Sequence, residues 1–211
     1  MIQLTPTRFV GGNEIRALRD EFQELHSVRL PALLHPDVMR VMVQRLETGA
    51  WIDKNHGKYG KEIILDDPPA LHLAHFLSNT HEFLQFIREL SGCTAISHYG
   101  GRVYRMVPSL DHYDAWHSDA VKERLVGMSI NLGPRPYLGG VFRLREKGCD
   151  EILRELPNTV PGDAILFRIS PELQHMVSPV EGLEPKTAFA GWFQSGGPDF
   201  ISSVRTSTML E

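Results

Sequence analysis

The chain has 211 residues, 42% of them hydrophobic and 23% charged. These are ordinary globular proportions, and they exclude a disordered chain, a collagen-like repeat and a disulfide scaffold. The 22 basic and 26 acidic side chains leave a formal charge of −4, opposite to the basic excess of a general nucleic-acid binder. No apolar run reaches the ~18–20 residues of a membrane span, Met1 to Val10 lacks the pattern of a signal peptide, and Cys93 and Cys149 lack metal spacing. These features predict one cytoplasmic domain with free thiols and with neither nucleic acid nor membrane as partner.

In chain order, residues 12–27 predict a helix, with Ile15, Leu18, Phe22 and Leu25 on a 3–4 spacing and Asn13 as N-cap. Residues 36–48 predict a second helix, with Pro36 in its first turn. Residues 68–92 open on two prolines and suit one or two helices ending at Gly92. After about residue 95 short β-rich runs alternate with Gly and Pro. Strands are expected near 96–107, 124–132, 140–145, 163–169, 175–180 and 186–193, the pattern of a β-sandwich or barrel. The expected fold class is therefore α+β and mainly β: a single domain, 1–211, with helical support over 1–95 and a β core over 96–200.

The chemistry centres on His-x-Asp. On a strand, residues i and i+2 share a face, so a His and an Asp at that spacing can reach one metal ion. A second His from a neighbouring strand completes a two-His, one-carboxylate triad, the open-sided arrangement of non-haem Fe(II) oxygenases. Chance placement of 10 histidines supplies less than one His-x-Asp, yet three occur: His35/Asp37, His112/Asp114 and His117/Asp119. Asp37 follows Pro36 at a helix start and reads as a first-turn carboxylate favouring the helix dipole. Spacing does not separate the other two pairs, although His112/Asp114 lies in a polar, loop-like stretch.

The third histidine, His175, follows a Pro-Gly turn and a strand. A turn with Gly182 and Pro185 then leads into a strand opening at Lys186. Pairing of 175 opposite 190 would put Lys186, Ala188, Ala190 and Trp192 on the face of His175, and a one-residue slip would bring up Thr187 instead. A lone buried cation beside a metal makes sense if an anion, such as a small dicarboxylate, bridges the two.

Taken in order, Tyr104, WHSD (116–119), RLVGMSINL (124–132), GGVFRL (139–144), PGDAILF (161–167), HMVSPV (175–180) and KTAFAGWF (186–193) resemble the Fe(II)- and 2-oxoglutarate-dependent oxygenases, most closely the prolyl 4-hydroxylase-like branch. The resemblance spans about residues 98–194. It implies a double-stranded β-helix (a jelly roll, cupin-like) supported by the N-terminal helices. It selects His117, Asp119 and His175 as iron ligands and Lys186 as the partner of the distal carboxylate of 2-oxoglutarate. Tyr104 fills one place where the family has an assisting tyrosine. Asn131 stands at the other, a departure, and Thr187 is the reserve hydroxyl donor. The implied reaction consumes 2-oxoglutarate and O₂, releases succinate and CO₂, and hydroxylates a peptidyl or free amino-acid side chain, with proline the leading candidate. Asp119 argues against the related halogenases, in which a small residue replaces the carboxylate.

Other readings remain at this stage: a cupin-like metal enzyme that does not use 2-oxoglutarate, a catalytically silent binding module, and a nucleic-acid demethylase, disfavoured because KTAFAGWFQSGG is not Arg-rich. Trp192 reads as core, Arg143 as a candidate for a substrate anion, and His72/His75 as ordinary helical positions. His56, His81 and His98 also read as ordinary. Residues 50–68 and 108–116 are candidates for the mouth of the site, and the chain is expected to be a monomer or homodimer.

Overall fold

A computed structural model describes residues 2–12, 14–108, 110–121, 123–157 and 159–196. The N-terminal part runs β1 (Gln3–Leu4), β2 (Phe9–Val10), α1 (Ile15–Leu25), β3 (Ser27–Leu30), α2 (Pro36–Thr48), β4 (Ala50–Asn55), β5 (Gly60–Asp66), α3 (Pro68–Ser78) and α4 (His81–Ser91). The remainder is β: β6 (His98–Met106), β7 (Tyr113–His117), β8 (Arg124–Asn131), β9 (Leu138–Gly139), β10 (Phe142–Glu146), β11 (Ile152–Leu156), β12 (Ala164–Arg168), β13 (Leu173–Val177), β14 (Val180–Glu181) and β15 (Lys186–Gln194).

The helix boundaries follow local chemistry. Pro36 occupies the first turn of α2, and the His35 ring accepts the Asp37 backbone N–H at 3.2 Å, so this His-x-Asp is a helix cap. Asp37 pairs with Arg40 on the same helix. Asp67 caps α3 through Ala70 N–H, ahead of Pro68 and Pro69. The 68–92 segment breaks in two at Asn79, whose side chain bonds both the N–H and the carbonyl of Tyr99 and so ties the break to β6. Gly92, in the left-handed region at φ 75°, ends α4. Asn13, the expected cap of α1, lies outside the described residues.

Eleven strands form one sheet along the path β11-β10-β13-β7-β5-β6-β15-β8-β12-β3, with β4 paired to β5, while β1-β2 and β9-β14 are separate two-stranded pairs. The path curls so that its two arms face each other: Phe167 on β12 packs 4.8 Å from the Phe142 ring on β10 and 4.6 Å from His175 on β13. This is a double-stranded β-helix, mostly antiparallel and nearly closed. Strand β15 lies at the centre of the larger arm, between β6 and β8. Its alternation sorts the interior. Phe189 and Phe193 join Phe83, Phe86 and Ile87 of α4 in the main apolar core, while Ala188 turns the other way, towards Tyr104, Met106 and Val177.

Three sequence expectations need correction. His175 does not pair opposite Ala190; it sits across from Leu144 and His117, because the 178–185 connection crosses between the two arms instead of closing a hairpin. Residues 113–117, absent from the expected strands and overlapping the loop-like stretch of His112 and Asp114, form β7. The N-terminal part is also more than helical support, since β3, β4 and β5 all belong to the large sheet.

Candidate functional site

The two arms enclose a cavity of about 440 Å³. At one side His117, from the end of β7, lies beside His175, from β13, with ring centroids 4.3 Å apart. Asp119 follows just beyond β7. One donor atom from each of the three lies within 4.8 Å of the others. Both imidazole Nε2 atoms face the Asp119 carboxylate, at 3.7 Å from His117 and 3.6 Å from His175. His117 donates its Nδ1–H to the Ala115 carbonyl at 2.7 Å, which leaves the Nε2 lone pair free for a ligand. Burial, and then the neighbouring His117, push the His175 imidazole down to about 4 against the pull of Asp119. His175 is therefore neutral at pH 7. Two imidazoles and a carboxylate that converge on one point fit one Fe(II) with an open side.

Asp119 is held from behind. Trp192 on β15 donates Nε1–H to its Oδ2 at 2.6 Å, and Arg124 at the start of β8 approaches its Oδ1 at 3.3 Å. The Arg124 guanidinium also stacks 3.4 Å from the Trp192 ring centroid. Trp192, read from sequence as core, thus reaches the site directly.

Lys186 lies in the same cavity and is only 2% exposed. Its ammonium donates to the Gly140 carbonyl at 3.1 Å and faces the Tyr137 ring. Burial pulls it down to about 8, with Asp114 pulling it back up. No carboxylate neutralises Lys186 by direct contact among the described residues, so an anionic ligand group fits there. Gly140 adopts φ 59°, and a Cβ at that position would come within 3.2 Å of the Lys186 side chain. The Gly-Gly pair is therefore a turn that lets the lysine reach a bare carbonyl.

The remaining sequence candidates separate by strand parity. Tyr104 faces the cavity, fully buried, and its phenol is pushed well above the usual range by burial and the nearby Glu62. Asn131 is buried opposite Ala188 but does not line the cavity; its Oδ1 accepts Gly133 N–H at 2.9 Å. Thr187 faces away from Lys186, and its hydroxyl accepts from Arg105 Nε at 3.0 Å. Arg143 pairs with Glu155 outside the cavity. His112 accepts Val107 N–H and does not line this cavity, whereas Asp114 does, beside His117. His75 packs edge-on against Phe189.

Residues 50–68 and 108–116, expected at the mouth, do contribute to the cavity, but within 50–68 no single residue was expected to act, and Arg102 was not expected there at all. The hairpin of β4 and β5 supplies His56, Tyr59 and Glu62, and β6 supplies Arg102. Glu62 accepts from Arg102 at 2.6 Å and from His56 at 3.1 Å through one oxygen, Oε1. The available signal was the alternation in β6, which puts Arg102 on the face of Tyr104. Its partner Glu62 comes from a hairpin that carries no motif.

Neither family models nor curated protein sequences match the chain. Solved structures do. A 2OG-Fe(II) oxygenase family protein from Burkholderia pseudomallei superposes with a TM-score of 0.64 at 17% identity, over 92% of this chain and 96% of the other. This chain has the fold of the iron- and 2-oxoglutarate-dependent oxygenases. A prolyl-4-hydroxylase from Pseudomonas putida aligns with a TM-score of 0.63 at 17% identity, covering 87% of this chain and 100% of that one. A Trichoplax adhaerens prolyl hydroxylase, in complex with a hypoxia inducible factor peptide fragment, gives 0.63 at 13% identity, over 86% and 89%. The oxygenase fold that the sequence resemblance implied is thus the fold observed, and prolyl hydroxylases are among the structures that share it.

Proposed function

We propose that the protein is an Fe(II)- and 2-oxoglutarate-dependent dioxygenase that hydroxylates a peptidyl or free amino-acid side chain, with proline the leading candidate. The observation that carries this reading is the pairing, in one cavity, of the convergent His117, Asp119 and His175 donors with the buried, anion-seeking Lys186. The oxygenase fold supports it.

In this reading the triad holds iron and Lys186 binds the distal carboxylate of 2-oxoglutarate, with Tyr104 beside it. When bound, iron and 2-oxoglutarate supply oxidation of a C–H bond to C–OH by O₂, with release of succinate and CO₂. The chain's own residues do the placing. Ala115 orients His117, while Trp192 and Arg124 hold the Asp119 carboxylate. Phe142, Ile165 and Phe167 line the cavity with apolar surface that limits water. The free thiols Cys93 and Cys149 support a reducing compartment, and the cytoplasm is the proposed location. No described helix is long and apolar enough to cross a membrane.

The test is anaerobic reconstitution with Fe(II) and 2-oxoglutarate, followed by the visible metal-to-ligand charge-transfer band. The band is expected in the wild type, absent in His175→Ala, and shifted to higher 2-oxoglutarate concentration in Lys186→Ala. Metal binding without a band would replace this reading with a metal enzyme that does not use 2-oxoglutarate.

A further inference from the structure

Beyond the triad and Lys186, the cavity contains a second set of charges. Arg102 and Glu62 project into it from adjacent strands and pair through a single carboxylate oxygen, Oε1, which also accepts from His56. Glu62 is 7% exposed, and the Arg102 guanidinium lies 5.6 Å from the Tyr104 ring centroid. Among the described residues, Nη1 of Arg102 and Oε2 of Glu62 have no hydrogen-bond partner. The pair therefore offers one spare cationic donor and one spare anionic acceptor side by side.

Its position leaves room for two ligands. Along β6, Met106 stands at the Lys186 register and Arg102 at the Ala190 register, four residues away. At the rise of a strand that is about 13 Å of backbone. A dicarboxylate at Lys186 and a second small molecule at Arg102 do not compete for the same stretch of wall. A cavity of about 440 Å³ is also of the size that holds small molecules.

Charge balance narrows the second molecule. Leaving imidazoles aside, the charged side chains lining the cavity are three cations, Arg102, Arg124 and Lys186, and three carboxylates, Glu62, Asp114 and Asp119. A divalent metal and a dianionic cosubstrate cancel each other. The remaining ligand meets no net charge, so a net anion or cation gains nothing from the site as a whole. A molecule with one charge of each sign satisfies both spare atoms and keeps the balance. A residue within a peptide offers the same two atoms only a neutral carbonyl and N–H, so each bond there carries charge on one side instead of both.

We propose that the substrate is a free α-amino acid, its carboxylate on Arg102 and its ammonium on Glu62. This deepens the dioxygenase reading above and rests on it.

The experiment uses protein loaded with Zn(II), which does not activate O₂, together with 2-oxoglutarate. Saturation-transfer NMR is recorded against the proteinogenic L-amino acids other than aspartate and glutamate, whose second carboxylates suit Lys186. The N-acetyl amides of the same amino acids, which carry neither backbone charge, are run in parallel. At least one free amino acid is expected to receive saturation, with its N-acetyl amide silent. Arg102→Gln alone would strand the buried Glu62 carboxylate, so the variant is the neutral double replacement Glu62→Gln/Arg102→Gln, with its fold checked by circular dichroism melting. Affinity for the free amino acid should fall at least about tenfold, the worth of one charge-assisted hydrogen bond. Glu62→Asp/Arg102→Lys, which keeps both charges, should recover part of the loss. Equal or stronger signal from the amides, undiminished binding by the neutral variant, or no free amino acid bound would overturn the proposal. The wild-type charge-transfer band separates the two readings: with the band present, those results remove the amino-acid assignment alone; with it absent, the dioxygenase reading falls as well.

Discussion

Replacing Trp192 with Phe removes the indole N–H while leaving an aromatic ring beneath Arg124, which stacks 3.4 Å from the Trp192 centroid. The lost hydrogen bond is short, 2.6 Å, and its acceptor is the Asp119 carboxylate. Hydrogen bonds to charged groups contribute about 1.5–3 kcal/mol. Asp119 keeps Arg124 at 3.3 Å, so the carboxylate stays in place but loses the contact that fixes Oδ2. At about 1.4 kcal/mol per decade, the substitution should weaken metal binding by about ten- to a hundredfold. The assay is anaerobic competition for Fe(II) against a chelator of known affinity, with the melting temperature of the metal-free variant measured alongside. Unchanged or tighter metal binding, together with a lowered melting temperature, would refute the reasoning and return Trp192 to the packing role that its sequence context suggested.

Lys186 should impose a pH limit on cosubstrate binding. Burial lowers its ammonium to about 8, so 2-oxoglutarate affinity should be flat below pH 8 and fall about tenfold per unit above it. Calorimetric titration between pH 6.5 and 9.5 checks this, and Lys186→Arg should bind with no such decline. The same group makes the empty protein gain stability as pH rises from about 8 towards 10.5, because the unfolded chain holds that proton more tightly. Denaturant melts across that window read it out. Asp163 should be structural: it is 2% exposed, accepts from Arg29 Nε at 2.9 Å and from Ala32 N–H at 2.8 Å, and ties the Pro-Gly-Asp turn to the β3 edge. Asp163→Ala should cost about 3 kcal/mol, a melting drop of about 6–12 °C for a chain of this size, with metal affinity unchanged. Gly140→Ala places a Cβ 2.7 Å from the Tyr137 ring and 3.2 Å from the Lys186 side chain. It should raise the Kd for 2-oxoglutarate severalfold in the charge-transfer titration while leaving Fe(II) affinity intact.

The elements legible in the sequence were those with strong local signals. The helix at 36–48 has its proline and cap, and the helix at 81–91 has its apolar face and terminal Gly92. The six predicted β runs coincide with β6, β8, β10, β12, β13 and β15 to within a few residues. The elements that escaped are short or polar. Strand β7 hides in the stretch that separates the two His-x-Asp pairs, and the largely exposed β4 shows no buried alternation.

The site divides along the same line. By itself the sequence determined the chemistry on offer: the His117-Ser-Asp119 pair was expected on a strand, although Asp119 falls just past the end of β7, and the order of motifs linked the pair to His175 and Lys186. Parity along β15 also put Lys186, Ala190 and Trp192 on one face, because alternation is a local property of any strand. Spacing alone did not separate the two later His-x-Asp pairs and the family resemblance selected His117; the tertiary structure supplies the physical reason, β7 pairing with β13 in a register that places His117 opposite His175. It also decided how His175 and Lys186 come to share a cavity: they sit on facing arms of a rolled sheet, not on neighbouring strands of a hairpin. The Arg102–Glu62 pair and the Trp192 contact to Asp119 join residues 40 and 73 positions apart. No local pattern encodes such meetings; they exist once the sheet has curled and its inward-facing side chains converge.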